Sequence, residues 1–444
     1  MARDAYEFLP ALMASVKRGM RWLYPGMKVK RWGTLATASM LVIAFAVLSS
    51  LGKQRVMALY DFALKSTQFR ILIIVVAFAL GILGFSYAVL RLVRSVARGI
   101  APGRDEKPSQ LIYRTRVLQR GPSVVAIGGG TGLSNLLRGL KEETSNITAV
   151  VTVMDDGGSS GRLRHDLDVL PPGDIRNCIL ALAEDEKRMA SLFQHRFWGS
   201  NDLEGHSLGN IVLVGLEQAT GGFDRAIEEM SHILNVIGQV VPATLEKVHL
   251  RARMEDGAWV EGESQITADP RRIKRIELSK SHVRPYGRVL EAIESADLIL
   301  LGPGSLYTSI IPNLLVDGIA EAVSRSAAEK MLIGNLMTQP GETDGFSLLD
   351  HLEAIAEYLD IGCFDKVIVN HVLPPEEFVS RYKAEASEPV RDDLAAANKF
   401  QLEVVSADLI GFARLSGKQT VKHNPHKLTR AIAHSSRSFS RHQK

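Results

Sequence analysis

The residues of this chain that could do chemistry sit in loops of small side chains, each placed directly after an apolar run. The first loop is Gly128-Gly129-Gly130-Thr131-Gly132, after Val124-Val125-Ala126-Ile127. An apolar run without alternation is the pattern of a strand covered on both faces, as in a parallel sheet. Beyond the glycines, Leu133, Leu136, Leu137 and Leu140 recur at helical spacing. Strand, glycine turn and helix start together leave unpaired N–H groups at a positive helix end, a good seat for phosphate.

The second loop, Asp155-Asp156-Gly157-Gly158-Ser159-Ser160-Gly161, follows the apolar run Ile147 to Val153. In a parallel sheet both loops leave the same edge, and open α/β sheets bind ligands outside those carboxyl ends. Two adjacent carboxylates beside a phosphate suit an oxygen-preferring cation, so Asp155 and Asp156 are candidates for Mg2+ or for a ribose hydroxyl. The competing role for one of them is to order its own turn. A third strand, Asp297 to Leu301, ends in Gly302-Pro303-Gly304-Ser305-Leu306-Tyr307-Thr308-Ser309. Gly302, Gly304, Ser305 and Thr308 offer amides and hydroxyls to phosphate oxygens. Tyr307 could stack on a base or sugar, although a packed aromatic is the commoner fate of tyrosine.

Further candidates follow the same logic. Pro171-Pro172-Gly173 leads into a helix with Asp174 as its expected N-cap, and Arg176 and Asn177 fall in the first turn within reach of a phosphate. Gly205-His206-Ser207-Leu208-Gly209-Asn210 opens another apolar helix and adds His206 and Asn210. Met331 to Gly334 gives a further strand followed by Asn335; Asn210 and Asn335 are candidates for reading a base or sugar edge. Lys366 to Val369 is one more strand. Lys247 to Arg253 and Ala258 to Gly262 form a hairpin around Glu255-Asp256-Gly257, an antiparallel insertion. Arg271, Arg272, Lys274 and Arg275 read as a solvated basic face.

These segments must be positioned by a globular α/β core. The chain has 444 residues, 46% hydrophobic and 23% charged, ample for such a core. A formal charge of +4 is too small to argue for nucleic acid. Cys178 and Cys363 lie far apart in apolar segments, which fits a reduced cytoplasmic compartment rather than a disulfide framework. From Trp32 to Gly52 and again from Ile71 to Leu90 there is no charge. Each run has about the 20 residues a helix needs to cross a bilayer, so two spans, about 32–52 and 71–90, are expected. Basic residues before the first and after the second put both ends inside, making this a multi-pass protein of the cell's inner membrane with its main domain in the cytoplasm. The expected order is a membrane region over 1–100, a linker over 101–120, the main domain over 121–425, and a disordered basic tail over 426–444.

The sequences GGGTGLSNLLRGLK, VTVMDDGGSSGRLR, LPPGDIRNCILALA, GHSLGNI, GPGSLYTSIIPNLL and NLMTQPGETDGF, in this order, resemble the YvcK family of gluconeogenesis factors. That family is similar to CofD, the 2-phospho-L-lactate transferase of deazaflavin cofactor synthesis. The resemblance covers nearly all of 121–425. It implies a doubly wound, mostly parallel Rossmann-like sheet that binds a nucleotide diphosphate, in particular a UDP-sugar such as UDP-N-acetylglucosamine. It also implies a role in cell shape and envelope synthesis during gluconeogenic growth, with a Mg2+-dependent transferase as the alternative. The residues show no obvious nucleophile–base pair, which favours binding. A third reading, an NAD-dependent dehydrogenase, places Asp155 where a Rossmann acid should be. It fails because Leu133 stands where the last glycine of G-x-G-x-x-G belongs, so no NAD is expected. No stretch demonstrates a homo-oligomer, although such domains often form one.

Overall fold

The computed structural model describes residues 36–46, 67–100, 117–199, 202–391, 399–415 and 418–442. The chain divides into two units, Met1–Tyr113 and Arg114–Lys444.

In the first unit, the helix Thr67–Ile100 includes an 18-residue window, Ile74–Arg91, of mean hydropathy 2.0. Leu72, Val75, Leu80, Leu83 and Leu90 all stand exposed along it. Among the described residues it is the one unbroken helix long and apolar enough to cross a membrane. The expectation of two spans is thus met by one such helix. The described part of the first run is the helix Ala36–Ala46, whose 11 residues rise only about 16 Å against a hydrocarbon core of about 30 Å. Residues 32–35 and 47–52 of that run lie outside the described residues, as does the linker up to 116. The two helices meet through small residues: a Cβ on Gly84 would stand 2.8 Å from the Ser39 hydroxyl oxygen.

The second unit is built on a seven-stranded sheet. Its strands are β1 (Val124–Gly128), β2 (Ile147–Val151), β3 (Gln239–Pro242), β7 (Leu298–Leu301), β8 (Glu329–Ile333), β9 (Lys366–Asn370) and β10 (Glu403–Ala407). They lie side by side as β10-β9-β8-β7-β1-β2-β3, and every pairing is parallel. All residues of β1, β2, β7 and β8 are buried, Thr148 of β2 and Glu329 and Lys330 of β8 among them, and cover on both faces explains the unbroken apolar runs of β1 and β7. The chain moves outward from β1 to β3, returns to the other side of β1 at β7, and continues to β10. Strand order therefore reverses between β1 and β7. Register sets Val124 opposite both Ile147 and Leu298, so the ends of β1 and β7 are level.

The antiparallel insertion has three strands rather than two: β4 (Leu250–Met254), β5 (Trp259–Glu261) and β6 (Ile273–Leu278), in the order β5-β4-β6. The basic cluster partly forms β6, where Ile273, Ile276 and Leu278 point inward and the cations outward. A second hairpin, β11 (Ile410–Leu415) with β12 (Lys418–His423), had no counterpart in the sequence reading.

The expected tail is also corrected. Residues 425–442 form the helices Pro425–Ser435 and Arg437–His442, with Leu428, Ile432 and Phe439 buried. Ser436 Oγ donates to Glu329 (2.8 Å) and Ser438 Oγ to the Asp297 carbonyl (2.8 Å). Its cations lie on the outer face of an amphipathic helix, and apolar residues four apart dock the other face.

Candidate functional site

The glycine turns after β1 and β7 meet. Extending Gly132 by a Cβ would drive it into the Pro303 carbonyl, with that carbonyl's carbon at 2.8 Å and Gly304 Cα at 3.1 Å. A Cβ on Gly304 would lie 3.5 Å from the Gly129 carbonyl oxygen. Only residues without side chains let two backbones come this close. Gly130, at φ +60, also needs glycine's freedom to start the helix Gly130–Leu140.

Around this contact opens a cleft of about 200 Å³. Gly129 to Gly132, Asn135, Gly304, Ser305, Asn335, Gln339, Lys422 and His423 line it. Of the residues singled out in the sequence, the structure thus gathers Gly129, Gly130, Thr131, Gly132, Gly304, Ser305 and Asn335 at one cleft. Gly128 and Gly302 lie just behind it, at the strand ends. Asn335 Nδ2 donates to the Gly304 carbonyl (2.9 Å) and Gln339 Nε2 to Ser305 Oγ (2.7 Å), so the loop after β8 braces the β7 turn.

The aspartates take different places from those expected. Asp174 does not cap its own helix, whose N-cap position is Pro172. Its Oδ2 instead accepts the Gly130 N–H at 2.6 Å, which removes that amide from any phosphate. Burial, with the charge of Asp155 next, pushes its pKa up to about 7. Asp156 accepts from Glu263 N (2.9 Å), Ser264 N (2.8 Å) and Ser264 Oγ (2.6 Å), tying the β2 loop to the insertion. Asp155 Oδ1 accepts from Gly157 N at 2.9 Å, the turn-ordering role, and burial raises its pKa. Burial and Asp155 likewise raise Glu263 to about 8. Among the described residues no three His, Cys, Asp or Glu are arranged to hold a metal ion. Asp156 is thus engaged by three donors and Asp155 by the Gly157 amide, and neither lines the cleft between the glycine turns.

A separate buried network takes up most of the remaining candidates. Ser159 Oγ stands 3.0 Å from His206 Nδ1 and accepts from Asn210 Nδ2 (3.0 Å). Arg176 donates to Ser207 Oγ, to Asn210 Oδ1 (2.7 Å) and to Asn177 Oδ1 (2.9 Å). Ser159, Arg176, His206 and Asn210 are all buried and none lines the cleft. The network holds the helix starts at Gly158, Gly173 and Leu208 together beneath the β2 loop. Gly157 and Gly158 belong to that loop, away from the cleft lining. Tyr307 is a packed aromatic, edge-on to Phe346 at 6.4 Å, and Thr308 Oγ1 is spent on Glu342 (3.1 Å).

The sequence reading missed Lys422 and His423, since the short strand β12 gave no glycine-loop signal. Lys422 is the only cation lining the cleft among the described residues. Burial, and Arg138 after it, lower its pKa.

The sequence model of the CofD family, described as 2-phospho-L-lactate transferase CofD, matches residues 124–410. A gluconeogenesis factor of Halalkalibacterium halodurans is 47% identical over 310 residues, 70% of this chain and 95% of that protein. One from Bacillus subtilis is 46% identical over 307 residues, 69% of this chain and 96% of its own. A relative from Nostoc matches at 40% over 428 residues, 94% of this chain and 92% of its own, so it also aligns with the N-terminal unit. The crystal structure of a Bacillus halodurans protein superposes with a TM-score of 0.67 at 47% identity, covering 70% of this chain and 99% of that one.

Proposed function

The chain belongs to the CofD family and, within it, to the gluconeogenesis factors, and on that premise we propose that it is a membrane-anchored binding protein for a nucleoside diphosphate sugar. The observation that carries this is the meeting of the Gly129–Gly132 and Pro303–Ser305 turns where strand order reverses, the place where open α/β sheets take their ligands. The free amides of the helix start and the Lys422 ammonium supply positive potential on one cleft. A diphosphate is the ligand part that uses both. UDP-N-acetylglucosamine is the first ligand of choice, with a regulatory role in envelope synthesis and cell shape under gluconeogenic growth. The helix Thr67–Ile100, with Ala36–Ala46 against it, would hold the domain at the inner membrane, the domain facing the cytoplasm. Calorimetry of the full chain in detergent with UDP-N-acetylglucosamine, UDP and GDP, each with and without Mg2+, tests the reading. Saturable binding of at least one of them is expected, and none binding overturns it.

A transferase of the 2-phospho-L-lactate type has one observation in its favour. The carboxyl of Asp174, titrating near neutrality beside the glycine turn, could exchange a proton at pH 7. Incubation with labelled nucleotide donors and candidate alcohols decides it: reproducible transfer supports the enzyme, and its absence leaves the binding protein.

A further inference from the structure

A second cleft, of about 630 Å³, opens between the antiparallel insertion and the helix Leu348–Ala356, away from the glycine turns. That volume is of the size small-molecule sites have. Its charges are sorted by element. The insertion lends Arg272 and Lys274, both exposed. The helix lends Asp350 and Glu353 and, at its C-cap, Glu357, spaced so that all three share one face. Among the described residues no ion pair or side-chain hydrogen bond engages Arg272, Lys274 or Glu357. The two signs of charge thus line one gap without meeting across it. Tyr307 lines the same cleft, on the stretch that follows the β7 glycine turn. It is 5% exposed, and its hydroxyl has no hydrogen-bond partner among the described residues. Glu342 accepts from this tyrosine's backbone N–H (3.3 Å) and from Thr308 Oγ1 (3.1 Å), and Phe346 stands edge-on to the ring at 6.4 Å, so the ring is held in place. The carboxylates that act on the hydroxyl are those of Glu357, Glu342 and Asp350, all in the lining of this cleft. The hydroxyl is not sealed in, unlike the enclosed unpaired atoms elsewhere in the domain. The acids do not converge on a metal, since among the described residues no three His, Cys, Asp or Glu are placed to hold one. An organic ammonium group, with three N–H donors pointing apart, suits acceptors dispersed in this way.

We infer that this cleft is a second binding site and takes a small zwitterion, whose ammonium group donates to Tyr307 Oη and Glu357 and whose acidic group is received by Arg272 and Lys274. Such a ligand is an amino acid in the broad sense, with one amine and one acid joined by a short chain. The site shares no lining residue with the cleft between the glycine turns, so it stands whatever that cleft binds. Ligand-observed NMR titrations of the full chain in detergent use γ-aminobutyrate, ε-aminohexanoate and triglycine. Each is run beside its N-acetyl form, which keeps only the acid, and its methyl ester, which keeps only the amine. At least one of the three zwitterions should bind saturably, with its acetyl and ester forms about tenfold weaker or worse, the size of one lost charge-assisted hydrogen bond. Tyr307→Phe removes a hydroxyl that no protein group uses. It should leave the melting temperature unchanged and weaken the zwitterion about tenfold. Lys274→Met should weaken the zwitterion by about the same factor and leave its methyl ester within about twofold. Binding of none of the three, an acetyl or ester form that binds as well as its parent, or full affinity in Tyr307→Phe overturns the inference. So does a Tyr307→Phe protein whose melting temperature falls along with its affinity, because the hydroxyl then serves the fold and not a ligand.

Discussion

Gly132→Ala is the sharpest perturbation that the structure offers. Gly132 has an ordinary helical backbone and lies in the helix Gly130–Leu140, where alanine is intrinsically favoured by about 1 kcal/mol. Propensity alone therefore calls for a more stable protein. The tertiary contact reverses the sign. The added methyl would stand 2.8 Å from the Pro303 carbonyl carbon, 0.6 Å inside an ordinary 3.4 Å contact, and closer still to the oxygen. Backbone cannot rotate away as a flexible side chain would, so the β7 turn must retreat. Overpacking of this kind costs about 1–3 kcal/mol. The gap it opens lies between the two sets of groups that would hold a diphosphate, where a displacement approaching 1 Å can cost about 100-fold. The expected result is a melting temperature a few degrees lower and binding of UDP-N-acetylglucosamine at least tenfold weaker by calorimetry. Gly130→Ala supplies the contrast. There the nearest atom to the new methyl, Ser309 Oγ, is 3.6 Å away, leaving only the strain of positive φ, about 1–2 kcal/mol. A Gly132→Ala protein that binds like the wild type would refute the joint grip.

Three further outcomes follow from the same geometry. Lys422→Met should weaken nucleotide binding about tenfold and flatten its dependence on salt, with the ligand-free melting temperature unchanged; titrations at two ionic strengths check this. Asp174, Glu263 and Glu342 have folded-state pKa values raised to about 7, 8 and 7, so the native state holds protons that the unfolded chain has released. The associated stability is complete below about pH 4 and is lost as pH rises toward 8; melting curves should decline over that window, less steeply in Asp174→Asn. Ending the chain at Pro425 strips Leu428, Ile432 and Phe439 from the core, each worth about 2–5 kcal/mol, and should lower the melting temperature by at least 10 °C or abolish soluble expression.

The sequence by itself determined the elements whose signal is local. β1 and β7 were legible because strands buried on both faces are written as unbroken apolar runs, β2, β8 and β9 from the apolar stretches beside Thr148, Lys330 and Lys366, and the glycine turns because a close backbone approach admits no side chain. The first helix needed only its leucine spacing. What sequence could not decide was which polar group faces which. Asp174 looks like a helix cap and Asp156 like a ligand, yet one holds the Gly130 amide, 44 positions away, and the other ties down Glu263 and Ser264. Ser159, Arg176, His206 and Asn210 carry polar atoms suited to a phosphate, but they bond to one another and to Ser207 and Asn177 inside the protein, with Arg176 Nε left unpaired among the described residues. Lys422 and His423 were invisible because nothing in a short edge hairpin announces where it folds back. Their position in the cleft depends on β12 returning beside the helix that starts at Gly130, close to 300 residues earlier. Local pattern reports burial and backbone freedom, whereas hydrogen-bond partners are chosen only when distant segments are packed together.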